Sequence, residues 1–492
     1  MSAEVRTYGN WRRPRSAGLY GLPASLTYGL LGVLIAAVVV QAVAGVVRAL
    51  AVLAVGGAVI ALMAMSDVHG VSMWAKLRER TVFMWSRNRG RTLYRSGPVG
   101  AVPGGRCFLP GLLADSTVSE HEDSYQRAFA LVRHRAGAVS VVLGVDSGGV
   151  DLVDPDQVDA QVALWGAWLA NLGSELGIAQ ASVVVETVPD TGARLERQVS
   201  AQTRPDAPPT ARRVMEDVVG AYKRGAAQVR CHVALTFQPP RMGVRRKDAD
   251  QVARDIGSRL PYITQSLKGA CGGGAVRLLT CAGLARAVRT AYDPASEALF
   301  EEAALRGERV DLEWEEAGPI GAQADWDSYR HDSGVSRTWV VTAPPSGVVQ
   351  SGVLAPLLGV SRDVERKRVA LLYRPIEAGA TGALVERDLK QAQARVSLSK
   401  RPTARETREM AVALRNAQEE ASGAGLVDFA ALVTATASSA EDLEEAGAAV
   451  RSLAAASKLR VRPAYGAQDA AFALALPVGA LVEWQAIRGI YQ

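Results

Sequence analysis

"VVVQAVAGVVRALAV" runs from Val38 to Val52 and holds one charged residue, Arg48. It sits inside a longer run, Leu26 to Met65, that is otherwise almost wholly apolar. At about 1.5 Å of rise per residue, one helix over ~40 residues would measure roughly 60 Å, twice a hydrocarbon core of about 30 Å. One straight span is excluded. Dividing the run near Gln41–Arg48 leaves Leu22–Val40 and Ala49–Met65, each near the ~17–25 residues that a crossing needs. A charge at the bilayer centre costs at least about 2.5–3.5 kcal/mol, so Arg48 is expected in the turn, at an interface. A buried soluble hairpin does not need two helices that are apolar all round. A cleaved signal peptide is disfavoured too, since the run is too long and begins too far in.

The flanks set an orientation. Arg6, Arg12, Arg13 and Arg15 precede the first segment, with Glu4 opposing. Lys76, Arg78, Arg80, Arg87, Arg89, Arg91 and Arg95 follow the second, against Asp67 and Glu79. Basic residues concentrate on the cytoplasmic side of a membrane, so both termini are expected inside the cell, at the inner or plasma membrane. Trp11 and Tyr20 before the hairpin, and Trp74 and Trp85 after it, fit aromatic anchors at headgroup level.

Charge is divided along the chain. Its 56 Lys and Arg and 50 Asp and Glu give a formal +6. Residues 1–100 carry 12 basic and 3 acidic side chains, which leaves 44 and 47 for the rest. The positive excess therefore lies beside the membrane, where anionic lipid is the natural partner. A duplex-binding body would carry its own basic stripe, so no direct nucleic-acid partner is expected. Cys107, Cys231, Cys271 and Cys281 show no paired spacing, which argues against a disulfide framework or a zinc ribbon.

Five regions follow: a basic N-terminus (1–21), the hairpin (22–66), a basic amphipathic juxtamembrane segment and linker (67–105), and two cytoplasmic α/β regions (106–330 and 331–492). The linker is marked by Gly97, Pro98, Gly100, Pro103, Gly104 and Gly105. β-branched runs predict strands at 138–146, 181–189, 229–238, 337–345, 368–376, 426–434 and 458–465. Between the first two lies a helix in which Val158, Val162, Trp165, Leu169 and Leu172 share a face; Asp154 and Gln157 are placed to form its capping box. Thr403 with Glu406, and Ser438 with Glu441, predict two more boxes. The alternation suggests a membrane-anchored α+β protein whose body is built from ferredoxin-like βαβ units.

Chemistry finds little purchase. No G-x-x-x-x-G-K-[ST] string occurs, and "GACGGGAV" (269–276) lacks the lysine that reaches a phosphate and follows no predicted strand. His121, Glu122, Asp123 and His134 lack the H-E-x-x-H spacing of a metal site. Ser397 and Lys400 match S-x-x-K, but the S-D-N and K-T-G partners are absent. Glu186 ends a "VVVE" strand with no phosphate loop for it to serve. No catalytic, cofactor or metal constellation is read.

The opening "TYGNWRRPRSAGLYGLPAS" followed by two short spans resembles actinobacterial membrane proteins of conjugation and type IV-like secretion clusters. In these, the hairpin is similar to the small PrgI-type subunit. The body, closing on "QDAAFALALPVGALVEW" (468–484), resembles the region before the motor domain of the secretion ATPases; Leu476, Pro477 and Gly479 fit its "LP.G" segment. The resemblance implies a non-catalytic scaffold that docks a separate P-loop ATPase and other inner-membrane subunits, with homo-oligomerisation left open. A type VII-like secretion membrane component and a membrane-tethered enzyme are the competing readings.

Overall fold

The computed structural model describes residues 24–65, 71–98, 100, 102–146, 153–190, 192–204, 206–223, 227–243, 249–345, 349–398 and 401–482. Two apolar helices open it, α1 (Ala24–Ala44) and α2 (Val46–Ala64), both long and apolar enough to cross a membrane. The chain reverses at Gly45 alone, whose φ of 87° lies where a side chain would clash with its own backbone. Arg48 was expected in the turn; it lies instead in the first turn of α2, exposed at the same end of the hairpin. One left-handed glycine ends one helix and starts the next, so no multi-residue loop is needed. The helices pack closely enough that a Cβ on Gly56 would come 2.5 Å from Val33 Cγ1.

Helix α3 (Met73–Asn88) leads from the hairpin to a short strand, β1 (Leu93–Arg95). The body then runs β2 (Thr117–Glu122), β3 (Ala128–Arg133), β4 (Val139–Val145), α4 (Pro155–Leu172) and β5 (Ile178–Pro189). Next come α5 (Ala193–Gln202), α6 (Pro209–Lys223), β6 (Ala227–Phe237), α7 (Ala249–Ala270) and β7 (Val276–Leu278). Helices α8 (Cys281–Tyr292) and α9 (Ser296–Arg306) lead to β8 (Gly321–Ala324), β9 (Tyr329–His331) and β10 (Gly334–Ala343). The chain continues through α10 (Ala355–Leu358), β11 (Arg366–Pro375), α11 (Ala378–Leu398) and α12 (Ala404–Ala421). It closes with β12 (Val427–Ala437), α13 (Ala440–Ala456), β13 (Arg460–Pro463) and α14 (Gln468–Leu474).

The thirteen strands among the described residues form one antiparallel sheet, ordered β1-β8-β9-β10-β12-β11-β5-β6-β4-β3-β2, with β13 on β10 and β7 on β4. Strands from either side of residue 330 meet at β5 and β11, paired from Lys367↔Thr187 to Tyr373↔Ala181. Alternate residues feed two cores. Val139, Val141 and Leu143 face α4 and α7, while Val142 faces Leu284 of α8 and Phe472 of α14. Both faces are covered, so the strands read as continuous apolar runs.

The halves repeat one plan. The first sets β5-β6-β4-β7 side by side and the second sets β11-β12-β10-β13, each entered through a three-strand meander. Registers match position for position. Leu143 faces Val233 and Leu278 as Trp339 faces Val433 and Pro463. Ser140 faces Thr236 as Ser336 faces Thr436. Along the chain a helical pair sits at the same place in both halves, α5–α6 between β5 and β6 and α11–α12 between β11 and β12.

The caps differ in detail. Thr403 and Glu406 form the predicted box: Thr403 Oγ1 accepts from Glu406 N at 3.3 Å, and Glu406 Oε2 from Thr403 N at 2.8 Å. Asp154 is the N-cap of α4 but makes no side-chain cap bond, so the box with Gln157 does not form. The Ser438–Glu441 box does not form; the N-cap of α13 is Ser439, one residue on, and it caps from one side only. Ser439 Oγ accepts from Asp442 N at 3.1 Å.

Candidate functional site

Helix α3, which follows the hairpin, gathers six of the residues singled out by the sequence: Trp74, Lys76, Arg78, Arg80, Trp85 and Arg87. Arg12, Arg13 and Arg15 lie outside the described residues. Ser72 caps the helix by accepting from Ala75 N at 3.3 Å. Its two long sides differ. One side meets the body: Arg462 of β13 donates to both Glu79 oxygens, Nη2 to Oε2 at 2.6 Å and Nη1 to Oε1 at 3.3 Å. Four residues on, buried Phe83 sets its ring edge-on to Trp326, centroids 5.3 Å apart. Trp326 stacks on Tyr465 at 5.5 Å, and the Arg462 guanidinium lies over Tyr465 at 5.1 Å. Gly466 must be glycine there, since its φ is 71° and a Cβ would come 2.8 Å from the Trp326 ring. The opposite side leaves Trp74, Leu77, Met84 and Trp85 exposed.

Sequence reasoning counted Glu79 only as an opposing charge and did not find Phe83, Trp326, Arg462 or Tyr465 as a set. The available signal was Glu79, an acid amid seven basic residues, with Phe83 four positions along the same helix face.

A second feature lies where the halves join. Glu186 of β5 accepts from Arg368 Nη2 at 2.7 Å and from Arg366 Nη1 at 3.4 Å, both from β11. Arg366 also binds Glu297 of α9, which takes Arg230 at 2.5 Å. Burial alone would raise the Glu186 carboxyl, but Arg368 and Arg366 outweigh it and hold it down to about 2. A cavity of about 340 Å³ adjoins this network, lined by Glu186, Arg230, His232, Arg286, Thr290 and Glu301 among others. A carboxylate so firmly held ionised is a poor proton acceptor near neutrality. Burial lowers His232 as well, and pushes the neighbouring Cys231 thiol up to about 12, away from the reactive thiolate.

Two histidine–serine pairs resemble nucleophile–base arrangements, and the fold repeats them. His134 Nε2 lies 2.8 Å from Ser140 Oγ, which lies 2.9 Å from Thr236 Oγ1. His331 Nε2 lies 2.7 Å from Ser336 Oγ, itself 2.7 Å from Thr436 Oγ1. His331 Nδ1 donates to the Tyr292 carbonyl at 2.6 Å, so the neutral ring accepts the Ser336 proton at Nε2. Burial keeps both rings neutral, lowering each to about 4. Ser140 and Ser336 are fully buried, beyond reach of any substrate. These are core struts.

The "LP.G" segment closes the first strut. Gly479, at φ 69°, places its carbonyl 2.7 Å from Thr236 Oγ1, and a Cβ there would come 2.6 Å from both Ser140 Oγ and Thr236 Oγ1. Gln180 brackets the same segment, donating to Ala480 O at 2.9 Å and accepting from Val482 N at 3.1 Å.

The remaining candidates scatter. Asp123 shapes the β2–β3 turn by accepting from Tyr125 N and Arg127 N, each at 2.9 Å. His121 pairs with Ser119 on β2. Ser397 Oγ donates to Ala394 O along α11, and Lys400 lies outside the described residues. Gly272 and Gly273 form the left-handed exit from α7. Among the described residues, no group of three or more His, Cys, Asp or Glu converges as metal ligands would.

A family model described as Domain of unknown function (DUF8461) matches residues 15–75, which cover the hairpin and the start of α3. A search of curated proteins returns no match.

Proposed function

We propose that this chain is a non-catalytic scaffold, anchored in the cell membrane by α1 and α2, that holds a soluble partner at the cytoplasmic face. The observation that carries the reading is the bridge from α3 to the body. A floppy tether would suffice for an enzyme that only needs to be near a membrane. Here Arg462, Trp326 and Tyr465 fasten the first helix after the hairpin to the second half of the sheet. The body is thereby held in a defined attitude to the hairpin, which serves assembly better than turnover.

In this reading each half is a ferredoxin-like unit, supported by the strand orders β5-β6-β4-β7 and β11-β12-β10-β13. The partner is a separate P-loop ATPase of a conjugation or type IV-like secretion apparatus, as the resemblance of the opening and "LP.G" segments implies. Co-purification from detergent-solubilised membranes tests it. The ATPase should come down with the full chain and move to the soluble fraction when residues 104–492 are deleted. An ATPase that fails to co-purify and stays membrane-bound after the deletion overturns the reading.

A membrane-tethered enzyme is the second reading. The observation favouring it is the cavity beside Glu186 and His232.

A further inference from the structure

We propose that the outward face of α3 is a docking surface for the anionic headgroups of the bilayer into which α1 and α2 insert. The proposal rests on the reading of that hairpin as membrane-spanning, and it assigns to α3 a lipid partner that the scaffold role alone does not require. Trp74, Leu77, Met84 and Trp85 are 39%, 46%, 62% and 48% exposed. At about 100° per residue they fall on one side of the helix. Glu79 and Phe83 fall on the other and are taken by Arg462 and Trp326. The body therefore has its own side of α3, and among the described residues it leaves this apolar side uncovered.

Charge names the occupant. Within residues 71–98 Glu79 is the one acidic side chain, and its partner Arg462 neutralises it. Arg78 borders the apolar side along one margin and Arg87 along the other, while Arg80 lies over the Trp326 ring of the body at 6.0 Å. Arg89 and Arg91 lie over the Trp85 ring at 3.9 and 5.0 Å, so the aromatic surface carries its cations with it. An aromatic–aliphatic stripe bordered by arginines fits the boundary where acyl chains meet phosphates. Position supplies the second argument. Met73 N donates to Met65 O at 2.9 Å, so α3 starts where α2 stops and its outward side lies at the mouth of the hairpin.

The test uses the full chain in nanodiscs of brominated phosphatidylcholine, with or without brominated phosphatidylglycerol. Tryptophan emission of the native protein is compared with that of the Trp74→Phe/Trp85→Phe variant. Native protein should lose emission that the variant does not, and the difference should grow with phosphatidylglycerol and shrink in high salt. The Arg78→Gln/Arg87→Gln variant should abolish the growth while still inserting. Protein that does not float with the discs overturns the spanning reading and this proposal together. Protein that floats but is quenched equally with and without Trp74 and Trp85 overturns the docking alone, as does a difference indifferent to phosphatidylglycerol.

Discussion

Arg462 and Glu79 stand 383 positions apart in the chain and meet in a two-point ion pair, with Arg462 only 6% exposed. The contact ties the last strand of the sheet to the helix at the foot of the hairpin. A guanidinium fork on a carboxylate fixes direction as well as distance, so a lysine at position 462 would not replace it.

Breaking that pair should loosen the junction without unfolding the sheet. Glu79→Gln and Arg462→Gln should each cost about 1.5–3 kcal/mol. Their effects should be non-additive, with a coupling of about 1–3 kcal/mol in denaturant titrations of the detergent-solubilised protein. Amide exchange in α3 should quicken in both variants while that in β5 and β11 stays as in the native chain. Additive effects, or equal exchange in α3, would deny the pair its clamping role.

Acid should destabilise the body over two pH ranges. His134 and His331 are neutral in the folded core, with pKa near 4, against 6.5 when unfolded. The unfolded chain thus binds more protons between those values. The stabilisation is complete above pH 6.5 and drains away as pH falls towards 4, by on the order of 3 kcal/mol for each ring. Glu186, held down to about 2 from 4.5, adds stability that is present above pH 4.5 and is lost below it. His331→Gln should flatten the slope of stability against pH between 6.5 and 4. An unchanged slope in that variant would contradict a buried neutral ring.

Gly479→Ala should cost roughly 2–4 kcal/mol, from overpacking against Ser140 and Thr236 together with a φ of 69°. Gly423→Ala offers a control, since its φ of 94° imposes backbone strain while nothing lies within 4 Å of its Cβ. Thermal unfolding should place the Gly479 variant well below the Gly423 variant. Equal melting temperatures would mean that the closing segment does not bear on the Ser140–Thr236 strut.

Orientation is open to thiol labelling in intact cells. A cysteine at Val47, beside the hairpin turn, should react with a membrane-impermeant reagent. Cysteines at Ala3 and Pro98 should stay protected until the cells are opened. The reverse pattern would invert the topology.

Periodicity carries a strand or a hairpin into view because its signal is local. The runs at 138–146, 181–189, 229–238 and 368–376 reappear as β4, β5, β6 and β11, with ends shifted by a few residues. Pairings between distant segments carry no such signal. Nothing near Val184 announces that β5 lies against β11, and "TVSEHE", mostly exposed in β2, lacks the apolar run that marks a strand. The turn falls inside the Gln41–Arg48 stretch read from its polar and helix-weakening residues, but backbone freedom sets it at Gly45, and the charge at Arg48 belongs to the first turn of α2. Half of the candidate site was legible, the aromatic and basic side of α3. The other half was not, because Phe83 finds Trp326, and Glu79 finds Arg462, only once the sheet has formed.

The repeat gives Arg462 a counterpart. Val340 faces Arg462 as Gly144 faces Arg277, so the two arginines hold one position in two renderings of the same plan. Arg277 spends both contacts of its Nη2 on Asp146, at 2.9 and 2.8 Å, within its own half. Arg462 reaches outside its half, to Glu79. Two identical subunits could not divide labour in this way, since whatever one did with that arginine the other would do too. Joined in one chain, one copy keeps its arginine at home and the other lends it to the helix that follows the hairpin, and the symmetric architecture acquires a top and a bottom.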